Sequence, residues 1–342
     1  MLISFELRKI LSGKAMLIVF AVIILQAVIA FIPKNYEHNY SPEVYKRYLT
    51  EYCGEYTQDT HIRLSARQAE IEEIIASHEE YAEKYHNDLI SFEEYEEHNS
   101  AYNKASAEQS TVEYLLQKCG YYDEHGIRAE LFYDTDWTDL FENMSFDYLI
   151  GLVILLIAVR VFCDEYSSGS RSVILTTPKG KRDTALSKLV IIVTFAFAVS
   201  ALMYAVKLMP TMRESAEYAT KPVNDLLSFP FDDSVTIIGY YLKDSIIKSL
   251  QWCDIAAFIC LISVLLQNRT FVYFVSFVFT LCPAMTSDLI GYNRARYFFT
   301  SYSLGMNYSC GDNVALILTV SVFKLVLFGL LTGRVWCSSH AI

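Results

Sequence analysis

Apolar residues in this chain are gathered into long unbroken runs, where a soluble domain would alternate them with polar residues at a helix or strand period. The first run begins at Ala15 and reads AMLIVFAVIILQAVIAFI to Ile32. Others follow at about 146–163, 188–209, 246–267, 271–290 and 314–332. A helix needs roughly 20 mostly apolar residues to cross the hydrocarbon core of a bilayer. The pattern therefore predicts an all-α integral membrane protein with six transmembrane helices, the first over 15–33. The segment 232–250 is partly apolar but carries Asp232, Asp233, Lys243, Asp244 and Lys248, and whether the count is five, six or seven turns on it. With six, 210–245 and 291–313 are connecting loops. Arg8, Lys9 and Lys14 before an apolar run give the start the look of a secretory leader. Pro33-Lys34-Asn35-Tyr36 follows where small residues would mark a cleavage site, so the run is expected to stay as an anchor.

Between the first two runs, 34–145 changes character and predicts a helical domain outside the membrane. Ser41-Pro42 supplies a cap followed by proline at the first helical position. Thr57 can cap a second helix running to about Tyr85. Ser91 with Glu94 makes a capping box for a third, running to about Lys118. Leu64, Ile71, Ile74, Ile75, Tyr81 and Tyr85 recur near helical spacing in the second helix. Phe92, Tyr95, Tyr102, Ala105, Val112 and Leu116 do so in the third. The short connection from His86 to Ile90 makes the two helices antiparallel neighbours. Such a hairpin brings Cys53 and Cys119 to its base, either as a disulfide in an oxidising compartment or as two free thiols. The other cysteines lie in or near apolar runs. Neither their spacing nor that of His38, His61, His78, His86 and His98 suggests a metal site.

Composition sharpens this division. The chain is 53% hydrophobic and 20% charged, with a net charge of −11. The charge is localised: 34–145 holds 25 acidic and 9 basic residues, and the remainder is mildly basic. Such a surface repels nucleic acid and suits cations, or is a solvated helical face. Lys and Arg favour the cytoplasmic ends of spans. Arg8, Lys9 and Lys14, then Arg171, Lys179, Lys181, Arg182 and Lys188, then Arg269 and Arg334 all fall on one side if the N-terminus is cytoplasmic. Lys207, Arg213, Lys221, Arg294 and Arg296 oppose this, so the bias is moderate. Both termini are expected in the cytoplasm of a plasma-membrane protein, with 34–145 outside.

The most specific stretch is the inner loop 164–187, entered through Val161-Phe-Cys-Asp-Glu-Tyr-Ser-Ser-Gly and left at Lys188. A short helix starting near Asp164 and Glu165 would set carboxylates at its positive N-terminal end. Gly169 allows close backbone packing, Pro178 stops the helix, and Val173, Ile174 and Leu175 offer an apolar docking surface. The plainer reading is a connecting loop with interfacial charges. The loop resembles that of the bacterial ABC-2 permeases, the membrane subunits of type-2 ABC exporters. There the second helix ends in an acidic residue, typically within F-x-x-E-x-x-x-G. An apolar stretch, a break, a basic cluster and a lysine opening the next helix then follow. The matching residues are Phe162, Glu165, Gly169, Leu175, Pro178, Arg182 and Lys188. Residues 1–14, with Ile3, Leu7, Ile10 and Leu11 on one face, resemble the interfacial elbow helix that opens these permeases. Leu261-Ile-Ser-Val-Leu-Leu-Gln-Asn-Arg looks like their fourth-to-fifth connection. The large 34–145 insertion departs from the smallest members.

What the resemblance implies is an export permease, with 164–187 as the ATPase-coupling loop. The chain has no Gly-x-x-x-x-Gly-Lys-[Ser/Thr] loop, so ATP would be bound and hydrolysed by a separate ABC ATPase dimer. A second permease copy or a homologous permease would complete the assembly among membrane lipids, with no nucleic acid and no cofactor in this chain. Ionisable residues within spans point to function by default. Asp254 in the fourth run and Lys324 in the sixth are expected at similar depth, where they pair, line a pathway or snorkel. A competing reading is a sensor or immunity protein whose acidic outer domain binds a peptide without transport, and another is a membrane scaffold. No Ser/His/Asp, Cys/His or metal set converges, so no enzymatic site is expected.

Overall fold

A computed structural model describes residues 2–11, 14–32, 38–142, 147–169, 174, 176, 180–226, 235–280 and 314–338. Among them the secondary structure is helical apart from one two-stranded ladder and short turns. The chain divides into two units: 1–33, 140–214 and 240–342 form one, and 34–139 with 215–239 form the other.

The apolar unit contains α1 (Leu2–Leu11), α2 (Lys14–Phe31), α7 (Tyr148–Ser167), α8 (Gly180–Glu214), α9 (Ile237–Leu266), α10 (Arg269–Thr280) and α11 (Val314–Ser338). Three of these, α8, α9 and α11, are long and apolar enough to cross a membrane. α2 offers a shorter apolar stretch over Met16–Phe31, and α10 is short as described. α7 has the length, 20 residues, but carries Arg160, Asp164 and Glu165 in its second half. The core gathers around α7, where Ile150, Gly151, Ile154, Ala158 and Phe162 are all buried. Ala185, Ala196 and Ala256 from α8 and α9 join the same cluster. Small residues let helix backbones approach closely, so dispersion contacts can hold apolar helices together. Leu17, Phe20, Ile24 and Val28 of α2 and Phe323, Val326 and Leu330 of α11 remain exposed.

Several boundaries differ from the pattern. α8 starts before 188 and runs beyond 209 to Glu214, with Pro210 inside it. α9 begins at Ile237, so the expected loop 210–245 is helical at both ends. Of the charges that made 232–250 ambiguous as a span, Asp244 and Lys248 form a buried pair one turn apart, Nζ to Oδ2, 2.8 Å, while Lys243 is exposed. Residues 281–313, with Pro283 and most of the second half of the fifth run, lie outside the described residues.

The polar unit is built on a helical hairpin, α4 (Gln58–His86) and α5 (Phe92–His125). Two of the three expected caps are present. Thr57 accepts from the amide of Thr60, and Ser91 and Glu94 complete a reciprocal capping box. Ser41 precedes α3 (Pro42–Tyr52) without a side-chain cap bond. The antiparallel seam is partly aromatic: Tyr85 stacks on Tyr95 at 4.6 Å, Tyr81 on His98 at 3.8 Å and His78 on Tyr102 at 3.7 Å. Below it Leu64, Ile71, Ala105, Val112 and Leu115 are fully buried. Each of the Leu, Ile and Val side chains contributes roughly 1.5–3 kcal/mol. α5 extends past Lys118 to His125 and ends at Gly126, whose φ of 62° is left-handed, a conformation glycine adopts without steric cost. β1 (Gly54–Glu55) pairs antiparallel with β2 (Glu130–Leu131) across the base, and α6 (Thr135–Glu142) follows.

Of the two states expected for Cys53 and Cys119, the structure shows free thiols, the first exposed and the second buried. Cys119 belongs to the core that includes Leu115 and Tyr122.

Candidate functional site

Residues singled out at the end of α7 and the start of α8 meet the N-terminal helix at a buried ion-pair node. Lys188, in the third turn of α8, is only 1% exposed. Its ammonium donates to Glu6 Oε2 at 2.9 Å, Glu165 Oε1 at 3.0 Å and the carbonyl of Val161 at 2.8 Å. All three ammonium protons are thereby used. Lys9 Nζ donates to the same Glu165 oxygen at 2.7 Å. Two carboxylates and two ammoniums thus make a neutral cluster tying α1, the end of α7 and the start of α8 together. Phe162, one turn before Glu165 and fully buried, closes the cluster from the apolar side. Lys188 Nζ lies 5.8 Å from its ring, and Trp336 of α11 packs edge-on against it at 5.3 Å. A small cleft beside the node is lined by Lys9, Ile10, Ile157, Arg160 and Asp164.

The sequence predicts a short helix opening at Asp164 and Glu165, but the carboxylates do not open a new helix. α7 continues through Ser167, so Asp164 and Glu165 occupy its last turn, at the negative end of the helix dipole. A carboxylate there is disfavoured by about 0.3–1 kcal/mol unless cations offset it, and cations are supplied. Lys9 and Lys188 serve Glu165. Arg160 Nε at 3.4 Å and Arg269 Nη1 of α10 at 3.6 Å serve Asp164. Gly169 follows the C-cap residue Ser168 with φ of 69°. The motif needs glycine there because an L-residue is strained in that conformation. Arg182 is exposed on the first turns of α8 and takes no part in the node, and Leu175 and Pro178 lie outside the described residues.

α1 differs from a simple interfacial helix. Its buried side includes Glu6, 5% exposed, while Leu7 is 41% exposed; Ile3 and Leu11 lie outside the described side chains. Glu6 and Lys9 were not read as site residues from sequence, where Lys9 counted toward orientation and both lay in the stretch that resembles an elbow helix. The available signal was an acidic residue one turn before a lysine on the first helix.

A second polar group lies within the apolar unit. Asp147 caps α7 by accepting from the amides of Leu149 and Ile150 at 3.1 and 3.3 Å, and Lys207 Nζ of α8 is 2.7 Å from its Oδ2. Tyr241 donates to the carbonyl of Tyr204 at 2.7 Å, and Trp252 Nε1 to the Tyr204 hydroxyl at 3.1 Å. Further along α9, Asp254 is 1% exposed, with Lys324 Nζ of α11 3.4 Å from its Oδ2. Among the described residues no group of three or more His, Cys, Asp or Glu side chains converges on one point.

Comparison with protein-family models, with curated proteins and with solved structures found no match to this chain.

Proposed function

We propose that the chain is the membrane-spanning permease subunit of an ATP-driven exporter of the type-2 class, with six spans, cytoplasmic termini and the acidic helical unit outside. The observation that carries the reading is the node at Lys188. It locks the N-terminal elbow to the end of one apolar helix and the start of the next, where the connecting segment leaves and returns. Force from a cytoplasmic ATPase has to enter through a rigid element, and a hydrogen-bonded cluster centred on a buried lysine resists deformation. The Phe162, Glu165, Gly169 and Lys188 pattern, each residue with a distinct local role, supports the same reading. The partner would be a dimer of ABC ATPases bearing phosphate loops, and a second permease would complete the pathway for a cargo moved out of the cytoplasm.

The test is affinity purification of the chain from its native membrane in mild detergent, with co-purifying proteins identified by mass spectrometry. A stoichiometric ATPase with a phosphate loop is expected. Glu165→Gln and Gly169→Ala are expected to reduce its recovery while the chain itself still reaches the membrane. A chain recovered alone, or with a kinase, overturns the reading in favour of a peptide sensor that does not transport.

A further inference from the structure

α9 carries a buried polar stripe along one face. Tyr241, Asp244, Lys248, Gln251 and Asp254 recur three or four residues apart, the spacing of side chains stacked along one side of a helix, and all are buried. α9 is also the most enclosed of the three long apolar helices, with 72% of its apolar window buried against 50% for α8 and 17% for α11. Around the first half of this stripe stand Asp147, Tyr204, Lys207 and Trp252. After Asp254 the helix turns apolar, with Ala257 and Leu261 packed on Phe328 of α11 and Phe258 5.4 Å from the same ring. Asp254 therefore sits where a polar interior gives way to an apolar one.

The three ion pairs along this stretch are not equivalent. Lys207 lies 2.7 Å from Asp147 and Lys248 lies 2.8 Å from Asp244, the usual range for a charged hydrogen bond. Lys324 stands off at 3.4 Å. Ser321, one turn earlier on α11, faces the same carboxylate. An ionised carboxylate can accept about four hydrogen bonds. A nearly inaccessible one with much of that capacity unfilled is desolvated without full compensation. The Lys324 side chain is the more accessible partner, 11% exposed against 1%.

We infer that Asp254 is the docking point for a cationic group, an ammonium or guanidinium, on the molecule this protein moves, and that Lys324 occupies the carboxylate between cargoes. The inference rests on the permease reading for the idea of a cargo. When the ligand's cation replaces Lys324 Nζ, the charge beside Asp254 is unchanged, and the long Lys324 side chain can carry its ammonium toward the aqueous boundary. A neutral or anionic ligand offers no such replacement and leaves the carboxylate worse off than before. This exchange accounts for a loose pair on a stripe whose other pairs are tight.

The experiment uses the full chain in detergent and a nitroxide-bearing long-chain alkylammonium as probe, with the nitroxide alcohol of equal length as the neutral control. Trp252, two residues before Asp254, reports proximity through fluorescence quenching, and Trp252→Phe identifies its share of the signal. Saturable quenching by the ammonium and not by the alcohol is expected, with Asp254→Asn weakening it by about tenfold or more. Lys324→Gln removes the competing internal cation and is expected to tighten binding, which a purely structural pair would not do. Equal quenching by the alcohol, or ammonium binding by Asp254→Asn equal to wild type, overturns the inference. Should Asp254→Asn fail to fold, Lys324→Gln decides alone: tighter binding supports the site, and unchanged or weaker binding overturns it. Ammonium binding in a chain that recovers no ATPase sinks the permease reading and leaves the cation site standing. A recovered ATPase without ammonium binding does the reverse.

Discussion

Single residues in the polar unit show how burial sets a pH dependence. Asp225 is 1% exposed, and its carboxyl is raised to about 6, by burial first of all, against the pull of Lys118 and Lys221. The fold resists the ionised form, so the unfolded chain gives up this proton at lower pH than the folded one. Stability from this group is therefore present below the ordinary carboxylate range and is lost as pH rises through about 6. We expect hydrogen-exchange protection of the α5 amides near Tyr122, which donates to the Asp225 carbonyl, to increase between pH 7 and pH 5. Asp225→Asn should raise protection at pH 7, by at most about 3 kcal/mol, and flatten the pH dependence. An unchanged slope in that variant would exclude Asp225 as the source. Glu108 works in the opposite sense. Burial raises its carboxyl, but hydrogen bonds from Arg67 and Tyr48 outweigh that and hold it below the ordinary range, so its contribution is lost only on stronger acidification. Lys118, wholly buried, keeps its charge company with Asp134 at 2.6 Å, and Tyr45 donates to the same carboxylate at 2.7 Å.

At the scale of elements, the hairpin and the node at Lys188 obey different rules. The α4–α5 hairpin is local: short connection, two caps and a seam of residues matched in antiparallel register. Its stability should respond to local edits in a local way. Ser91→Ala removes the side-chain bond to the Glu94 amide and one half of the capping box. The change should cost about 1 kcal/mol, read as faster exchange in the first turns of α5 with the base of the hairpin unaffected. Uniform loss across both helices would mean instead that the hairpin unfolds as one unit. The caps and the antiparallel register are legible in the sequence because they depend on residues close in the chain. The stacking of His78 on Tyr102 and Tyr81 on His98 was less so, since histidines at irregular spacing carry no periodic signal until the partner helix is in register. The node is non-local: Lys188 and Glu6 are 182 residues apart. Sequence could mark Glu165 and Lys188 as pattern residues, but not that Glu6 and Lys9 complete their hydrogen bonds.

At the scale of the molecule, the proposed topology makes a prediction about a natural thiol. Cys53 is exposed and Cys119 buried, so only the first can meet a bulky reagent on the folded polar unit. A membrane-impermeant maleimide applied to intact cells should label the wild-type chain and label Cys53→Ser less. Labelling of Cys53 only after the cells are opened would put the acidic unit in the cytoplasm and reverse the orientation. The apolar unit is itself uneven: α9 is largely enclosed while α2 and α11 leave wide apolar faces uncovered.

Hydrophobic runs and their flanking polar residues were enough to determine that the chain is all-α, that apolar helices bracket an acidic helical insertion, and where the insertion's helices begin. Burial in a low-dielectric phase demands unbroken apolar length, and caps satisfy the free amides of a first turn, so both leave marks in contiguous sequence. Tertiary structure alone decided the rest. It brought Glu6 and Lys9 to Lys188 and Glu165, set Lys324 beside Asp254, and seated Cys119 in the core with Leu115 and Tyr122. Each of these outcomes depends on which buried charge or thiol meets which partner. Such meetings are set by helix packing between residues remote in the chain, where local sequence carries no record of the neighbour.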